Sequence, residues 1–540
     1  MPAPPSDPAS AVSGRRLLRS TGAVGAMTLL SRILGLVRDV VFARLFGASP
    51  LMDAFFVAFK IPNIFRRWSA EGAFSQAFVP VFADYDQNRS REDVRELAER
   101  VTGTLGGALL VFTAIGILAA PLLILGFAPG FSADAAGSDR FDLSVDMLRL
   151  TFPYLFFVSL GALAGGILNT YHRFGVPAFS PVLLNVVMIV FAAGVAPYYE
   201  RPGMALAAGV FAAGVIQLAF MLPALRRIGM LPRPRWGPAH EGVRRIMRLM
   251  LPAVFGSSVA QVSILLDTLI ASFLVTGSIS WLYYSDRLME FPLGVFGIAL
   301  ATVILPNLSR QHASASREQF AATLGWAIRL VILISAPASV GLALLAGPML
   351  ATIFFGGAFT AADVDMAAWS LTAYAAGLVA LTLVKVLAPG YFARQDTRTP
   401  VRVGLIALGF NMGFNLLVVA PWAMAGLPAP HAGLALSTSL SGFLNAVLLY
   451  RGLRSAGVLD RDPTLGRYLL QVFAGSAAMA ALLVAVTPPL GRWLAADVWL
   501  RAGWLTAIIA AAAVVYFAVL FATGVRRSTF RMVGHPQERG

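Results

Sequence analysis

The residues most able to do chemistry in this sequence are charged side chains set in apolar surroundings. Between Thr28 and Glu71 the chain reads TLLSRILGLVRDVVFARLFGASPLMDAFFVAFKIPNIFRRWSAE, which places Arg32, Arg38, Asp39, Arg44, Asp53, Lys60, Arg66, Arg67 and Glu71 within apolar runs. A charge in a bilayer core costs roughly 2.5 to 3.5 kcal/mol even on the lenient insertion scale, so several arginines together imply a water-filled cavity or a bound anion. Arginine suits phosphate or diphosphate, because its fork pairs two oxygens and is less costly to desolvate than an ammonium.

Asp53, Lys60, Arg67 and Glu71 are spaced 7, 7 and 4, one stripe of an ideal helix. Arg66 falls off that stripe unless a bend at Pro62, next to Asn63, rotates the lower half. Arg32 and Asp39 share a face with Gly35, and Arg38 sits about 120° away. A second cluster, SWLYYSDRLMEFPLG, sets Asp286 and Glu290 four apart with Arg287 in the same broad arc. Asp267, in SILLDTLIASF, is a lone intramembrane acid, either a Na⁺ or proton coupling site or a carboxylate satisfied at a helix interface. The plainer reading is internal pairing: Arg38 with Asp39 or Asp53, Arg287 with Glu290, Lys60 with Glu71. That leaves more arginines than nearby acids, so the expectation is an electropositive cavity between two halves of the chain, shaped for an anion.

The elements that must position these groups are membrane helices. The 540 residues are 58% hydrophobic and 13% charged, with a mean hydropathy of +0.74, which excludes a soluble globule. There is no cysteine, hence no disulfide or thiolate chemistry, and the five histidines are scattered. At roughly 20 apolar residues per span, about fourteen spans are expected. They lie at 21–46, 51–86 (bent at Pro62), 101–127, 143–170, 177–198, 204–226, 244–275, 279–309, 319–346, 361–392, 400–421, 432–453, 467–489 and 498–524. The Pro/Ser-rich residues 1–20 read as a disordered cytoplasmic tail.

The net charge of +15 follows topology. With both termini in the cytoplasm, 28 of the 42 Lys and Arg fall on the inside and only Arg140, Arg201, Arg492 and Arg501 on the outside. The basic excess is thus spread over short segments and implies no nucleic-acid partner. Ten basic residues remain inside spans, more than half of them in the opening stretch. An offset of about 223 to 226 residues lays Ala77–Tyr85 on Val303–Gln311 and brings Tyr171–Pro177 beside Tyr391–Pro400. Six spans per copy is an even number, so the copies share orientation. The expected architecture is an all-α polytopic membrane protein of two six-helix lobes in parallel pseudo-repeat, 21–227 and 228–455, followed by two C-terminal helices and a cytoplasmic tail in 456–540.

SRILGLVRD, DAFFVAFKIPNIFRRWSAEGAFSQAFVPVFADY, YYSDRLMEFPLGVFGIAL and KVLAPGYFARQDTRTP resemble the motifs of the MurJ (MviN) lipid II flippases of peptidoglycan synthesis, within the multidrug/oligosaccharidyl-lipid/polysaccharide exporter superfamily. The resemblance covers about residues 20–525. It implies a V of two six-helix lobes, with helices 13 and 14 forming a lipid-facing groove for the polyprenyl tail. It implies that Arg32, Arg38, Arg66 and Arg287 bind the substrate diphosphate. Asp39, Asp53, Lys60, Asn63, Arg67, Glu71, Asp286 and Glu290 would gate or support that site. Some members bind Na⁺ in the second lobe, which makes Asp267 the candidate ligand.

The expected function is outward transfer, by alternating access, of undecaprenyl-diphosphate-linked peptidoglycan precursor across the bacterial inner membrane. The expected partners are lipid II, membrane lipids and cell-wall synthesis proteins. No cofactor is expected beyond the membrane potential and a coupling ion, Na⁺ or a proton, and no nucleotide-binding GxxxxGK[ST] motif is present. A drug exporter of the same fold would favour an acidic, aromatic cavity over these arginines. A polyprenyl-phosphate glycosyltransferase would need a catalytic carboxylate site on a sizeable extramembrane domain, and no loop here is long enough to form one. The chain therefore reads as a transporter and not an enzyme.

Overall fold

A computed structural model of the chain describes residues 8–67, 74–132, 137–294, 298–313, 316–459 and 462–525. Among these the backbone is helical almost throughout, with no strand and one isolated bridge between Gly356 and Phe359. The first nine helices are α1 (Pro8–Phe46), α2 (Pro50–Arg66), α3 (Ser75–Asn88), α4 (Arg91–Leu118), α5 (Ala120–Phe127), α6 (Gly137–Thr151), α7 (Tyr154–Thr170), α8 (Gly175–Val190) and α9 (Pro202–Arg227). The next nine are α10 (Glu241–Ser272), α11 (Ser278–Pro292), α12 (Ile298–Ala313), α13 (Arg317–Leu344), α14 (Ala346–Ile353), α15 (Ala361–Phe392), α16 (Arg398–Phe414), α17 (Ala420–Met424) and α18 (Pro430–Ser455). The chain closes with α19 (Leu465–Val486), α20 (Leu490–Ala495) and α21 (Val498–Ala522).

The repeat that was faint in the sequence recurs in helix lengths and breaks. α4 and α13 each have 28 residues, α5 and α14 each have 8, and α9 and α18 each have 26. α8 runs into a π-helical turn at Phe191–Val195, and α16 does so at Asn415–Val419. The turn after α7 passes through left-handed His172 (φ 56°), and the turn after α15 through left-handed Gln395 (φ 59°). Ahead of α16, the Asp396 carboxylate accepts from the Thr399 hydroxyl at 2.6 Å and from its backbone N–H at 3.0 Å. Those bonds hold its carboxyl below the usual carboxylate range and let it cap the helix end.

Within the described residues the expected span at 143–170 is divided into α6 and α7 at Pro153, whose ring removes a helix donor. α2 and α3 lie in the stretch expected at 51–86 and α11 and α12 in that at 279–309, with residues 68–73 and 295–297 outside the described residues. α1 begins at Pro8, so helical backbone extends into the stretch expected as a disordered tail, where Ala, Leu and Arg favour helix. Ten stretches of the described residues are long and apolar enough to cross a bilayer. The expected spans at 21–46, 51–86, 244–275 and 279–309 each include residues whose side chains lie outside that description.

By contacts the chain divides into two compact units, Met1–Phe273 and Leu274–Gly540. α10 opens the second repeat in sequence, yet it packs on α3, α4 and α5 of the first unit. Arg245 pairs with Asp84 at 2.6 Å, and the Gly130 N–H donates to Ser272 Oγ at 3.0 Å. The basic segment between α9 and α10 lies along α4: the Arg235 N–H donates to the Glu99 carbonyl at 3.0 Å, and its guanidinium meets the Glu99 carboxylate at 3.1 Å. Each unit has its own apolar core, around Phe78, Phe82, Leu97 and Ile167 in the first and around Leu324, Val331, Val386 and Leu453 in the second. In lipid these interfaces form by close packing, because lipid is as apolar as the helix surface. At Gly377 of α15 an added Cβ would lie 2.6 Å from the Ser439 Cα of α18, so only glycine permits that approach.

Arg501, counted with the outer charges at the start of the span expected at 498–524, lies in the first turn of α21, and only 7% of it is exposed. Its guanidinium donates to the carbonyls of Ala351 (3.0 Å), Leu494 (3.2 Å) and Ala496 (2.7 and 2.9 Å), gathering the C-terminal ends of α14 and α20. Helix C-termini carry unpaired carbonyls and partial negative charge, which a buried cation satisfies. Arg501→Ala is expected to destabilise the second unit by about 3 kcal/mol, since it strands those buried acceptors. Thermal unfolding of the detergent-solubilised chain checks this, and an unchanged Tm would refute it.

Candidate functional site

α1 ends at Gly47, whose left-handed φ of 64° and N–H bond to the Ala43 carbonyl (2.8 Å) close the helix. Ser49 then caps α2 by accepting from the Met52 N–H at 3.4 Å, with Pro50 at the first helical position. Asp53 consequently sits in the first turn of α2, where a carboxylate complements the helix dipole, and is only 1% exposed. Gly277 (φ 94°) plays the matching part before α11.

Arg38 and Asp39 form a buried ion pair. The Arg38 Nη2 and Nε donate to Asp39 Oδ1 at 2.7 and 3.0 Å, and the two residues are 5% and 0% exposed. The Arg38 Nη1 donates to Asn185 Oδ1 of α8 at 3.1 Å, and its guanidinium lies 5.7 Å from the centre of the Phe42 ring. Arg32, two turns earlier and on the arc of Asp39, is exposed. Helical spacing put those two residues on one face, but the neighbours that cover that face at Asp39 leave it open at Arg32.

On α2 the Lys60 ammonium donates to Thr268 Oγ1 of α10 at 2.9 Å. The pairing of Lys60 with Glu71 lies outside the described residues, as does Glu71 itself. The expected stripe through Asp53, Lys60 and Arg67 is not one environment: Asp53 is buried, Lys60 half-buried and Arg67 exposed. Asn63 donates to the Phe59 carbonyl at 2.9 Å and accepts from Arg66 Nε at 3.1 Å, so its amide ties Arg66 to the bend region. Asp267 is half-buried, next in sequence to Thr268. The Thr268 oxygen accepts the Lys60 ammonium and its hydroxyl donates to the Ile264 carbonyl at 2.7 Å.

In the second unit α11 is fixed to α15 by the Trp281 indole N–H donating to Asp363 Oδ1 (2.9 Å) and by the Ser285 hydroxyl donating to the Ala367 carbonyl (2.7 Å). This sets Arg287 one turn from Tyr283, whose hydroxyl accepts from Arg287 Nη2 at 3.0 Å. The Arg287 Nη1 meets Glu290 Oε2 at 3.2 Å. Asp286 is half-buried on the same helix. Two of the three internal pairs foreseen, Arg38 with Asp39 and Arg287 with Glu290, are thus present. Asn185, Thr268 and Tyr283 are additions. Tyr283 was within reach of an i, i+4 rule, whereas Asn185 and Thr268 are far from their partners in sequence.

Charged side chains on α1, α2 and α11, set ahead of long apolar helices, mark a polytopic helical membrane protein. Its fold is similar to that of an inward-facing multidrug resistance MATE family transporter of the MOP superfamily, which superposes with a TM-score of 0.66 at 12% identity, over 81% of this chain and 98% of that one. The chain belongs to the lipid II flippase MurJ family, whose model, "Lipid II flippase MurJ", matches residues 42–527. Similar relatives are the "Probable lipid II flippase MurJ" of Haemophilus influenzae, 46% identical over 93% of this chain and 99% of that protein, and the "Lipid II flippase MurJ" of Burkholderia cenocepacia, 40% identical over 95% and 99%. A solved structure named "Lipid II flippase MurJ, inward closed conformation" has a TM-score of 0.76 at 24% identity, covering 94% of this chain and 99% of that one. The chain is accordingly a multi-pass membrane transporter of a bacterial inner-membrane family.

Proposed function

We propose that this chain moves lipid II, the undecaprenyl-diphosphate-linked disaccharide-pentapeptide, from the inner to the outer leaflet by alternating access. The observation that carries the reading is the Arg38 guanidinium, buried in an apolar unit against the Asp39 carboxylate and the Asn185 amide. Few ligands repay the cost of keeping such a group there, and a diphosphate, which takes the fork bidentately, is one. In this reading Arg32, Arg38, Arg66 and Arg287 hold the diphosphate. Asp39, Asp53, Lys60, Asn63, Arg67, Glu71, Asp286 and Glu290 compete for those arginines and so bias the state of the carrier.

The polyprenyl tail stays in lipid along α19 and α21, and both termini lie in the cytoplasm, as the charge bias requires. Carrying net negative charge outward across an inside-negative membrane gains roughly 2.3 kcal/mol per charge per 100 mV, a sufficient drive without nucleotide. Membrane lipids surround the carrier, and cell-wall synthesis proteins are its consumers. The test is the purified full-length chain in vesicles holding labelled lipid II on one leaflet. Transfer is expected, faster with the imposed potential; no transfer, or transfer of lipophilic cations instead, would overturn the reading.

A further inference from the structure

We infer that Asn185 is a positioning residue for Arg38: a neutral acceptor that holds the guanidinium while no diphosphate is present and releases it to one. The inference rests on the diphosphate reading above and names how that site is kept ready.

Asn185 lies in α8, 147 positions from Arg38, and is 6% exposed. Its Nδ2 donates to the Ser31 carbonyl of α1 at 3.0 Å and to the Pro181 carbonyl at 3.2 Å. With both carbonyls on the nitrogen side, the oxygen faces Arg38 Nη1, and the orientation of the amide follows from its partners. The same side chain therefore fixes the α1 backbone at Ser31 and the guanidinium two turns along.

The charge of this acceptor matters more than its shape. Arg38 already meets Asp39 through Nε and Nη2. A second carboxylate on Nη1 would hold the guanidinium from two sides and compete with any diphosphate, because charge-assisted bonds are about twice as strong as neutral ones. A neutral amide satisfies the buried N–H, as burial demands, and remains the easier of the two partners to displace.

The test uses the full-length chain in lipid II vesicles, with lipid II binding measured on the solubilised protein. Asn185→Asp is expected to slow transfer by about tenfold or more and to weaken binding, whereas Asn185→Leu, similar in shape but uncharged, loses only about threefold. Adding Asp39→Asn to Asn185→Asp moves the carboxylate on Arg38 from one side to the other without adding charge and is expected to recover transfer to within about threefold of the parent. A purely structural role, in which the new carboxylate repels the Ser31 and Pro181 carbonyls, would leave the double variant unrecovered; that result, or equal rates in the Asp and Leu variants, overturns the inference. Arg38→Ala separates the two layers. Full transfer in that variant overturns the diphosphate reading and this inference with it. Lost transfer in it, with both Asn185 variants at the parental rate, overturns this inference alone.

Discussion

Arg38→Ala is expected to cut lipid II transfer by about a hundredfold, and to lower the thermal stability of the solubilised chain as well. The transfer loss follows from removing a bidentate cation from a diphosphate, where each charged hydrogen bond contributes roughly 1.5 to 3 kcal/mol. The stability loss has a separate origin. Asp39 is fully buried against this guanidinium, and deleting one member of such a pair costs about 3 to 5 kcal/mol by leaving a charge without its partner. The two effects can be pulled apart. Arg38→Ala with Asp39→Asn removes the stranded charge, so Tm should recover while transfer stays low. Recovery of both would reduce Arg38 to a structural ion pair. Arg38→Lys keeps the charge but loses the fork, and a partial rate is expected.

Arg287→Ala is expected to reduce transfer on a similar scale, about fiftyfold to a hundredfold, with almost no change in Tm. The contrast comes from exposure: the Arg287 and Glu290 side chains are 33% and 51% accessible, so neither is stranded when the other goes. Such a pair contributes about 0 to 1 kcal/mol to folding. Tyr283, which accepts from Arg287 and faces its guanidinium at 5.4 Å from the ring centre, keeps its aromatic packing on Tyr284 without it. A fall in Tm with an unchanged transfer rate would show that Arg287 serves packing and would remove it from the substrate site.

Much of this molecule is legible in one dimension, because helix formation and membrane insertion are local. The apolar runs, the concentration of Arg on alternate connections and the motifs around Arg38 and Arg287 required no knowledge of packing. The 223–226-residue offset was visible as well, although only weakly, because apolar helices resemble one another by composition. Helix lengths and the paired π-helical turns make the repeat plain, since they record backbone geometry that survives side-chain substitution.

What the tertiary structure decided is which charges are covered and by whom. A helical wheel placed Arg32 with Asp39, yet one is exposed and the other fully buried, because neighbours change along a helix axis. Lys60 reaches Thr268 of α10, a partner 208 positions away. Arg501, an outer charge by topology, gathers the carbonyl ends of two helices. α10 belongs to the second repeat by sequence and to the first unit by packing. The sequence by itself determined a charged, repeated, all-helical transporter, because period and composition act within one helix. The acceptor on Arg38, an amide 147 positions away, was decided only by the packing of α1 on α8, which sets distances that no spacing rule contains.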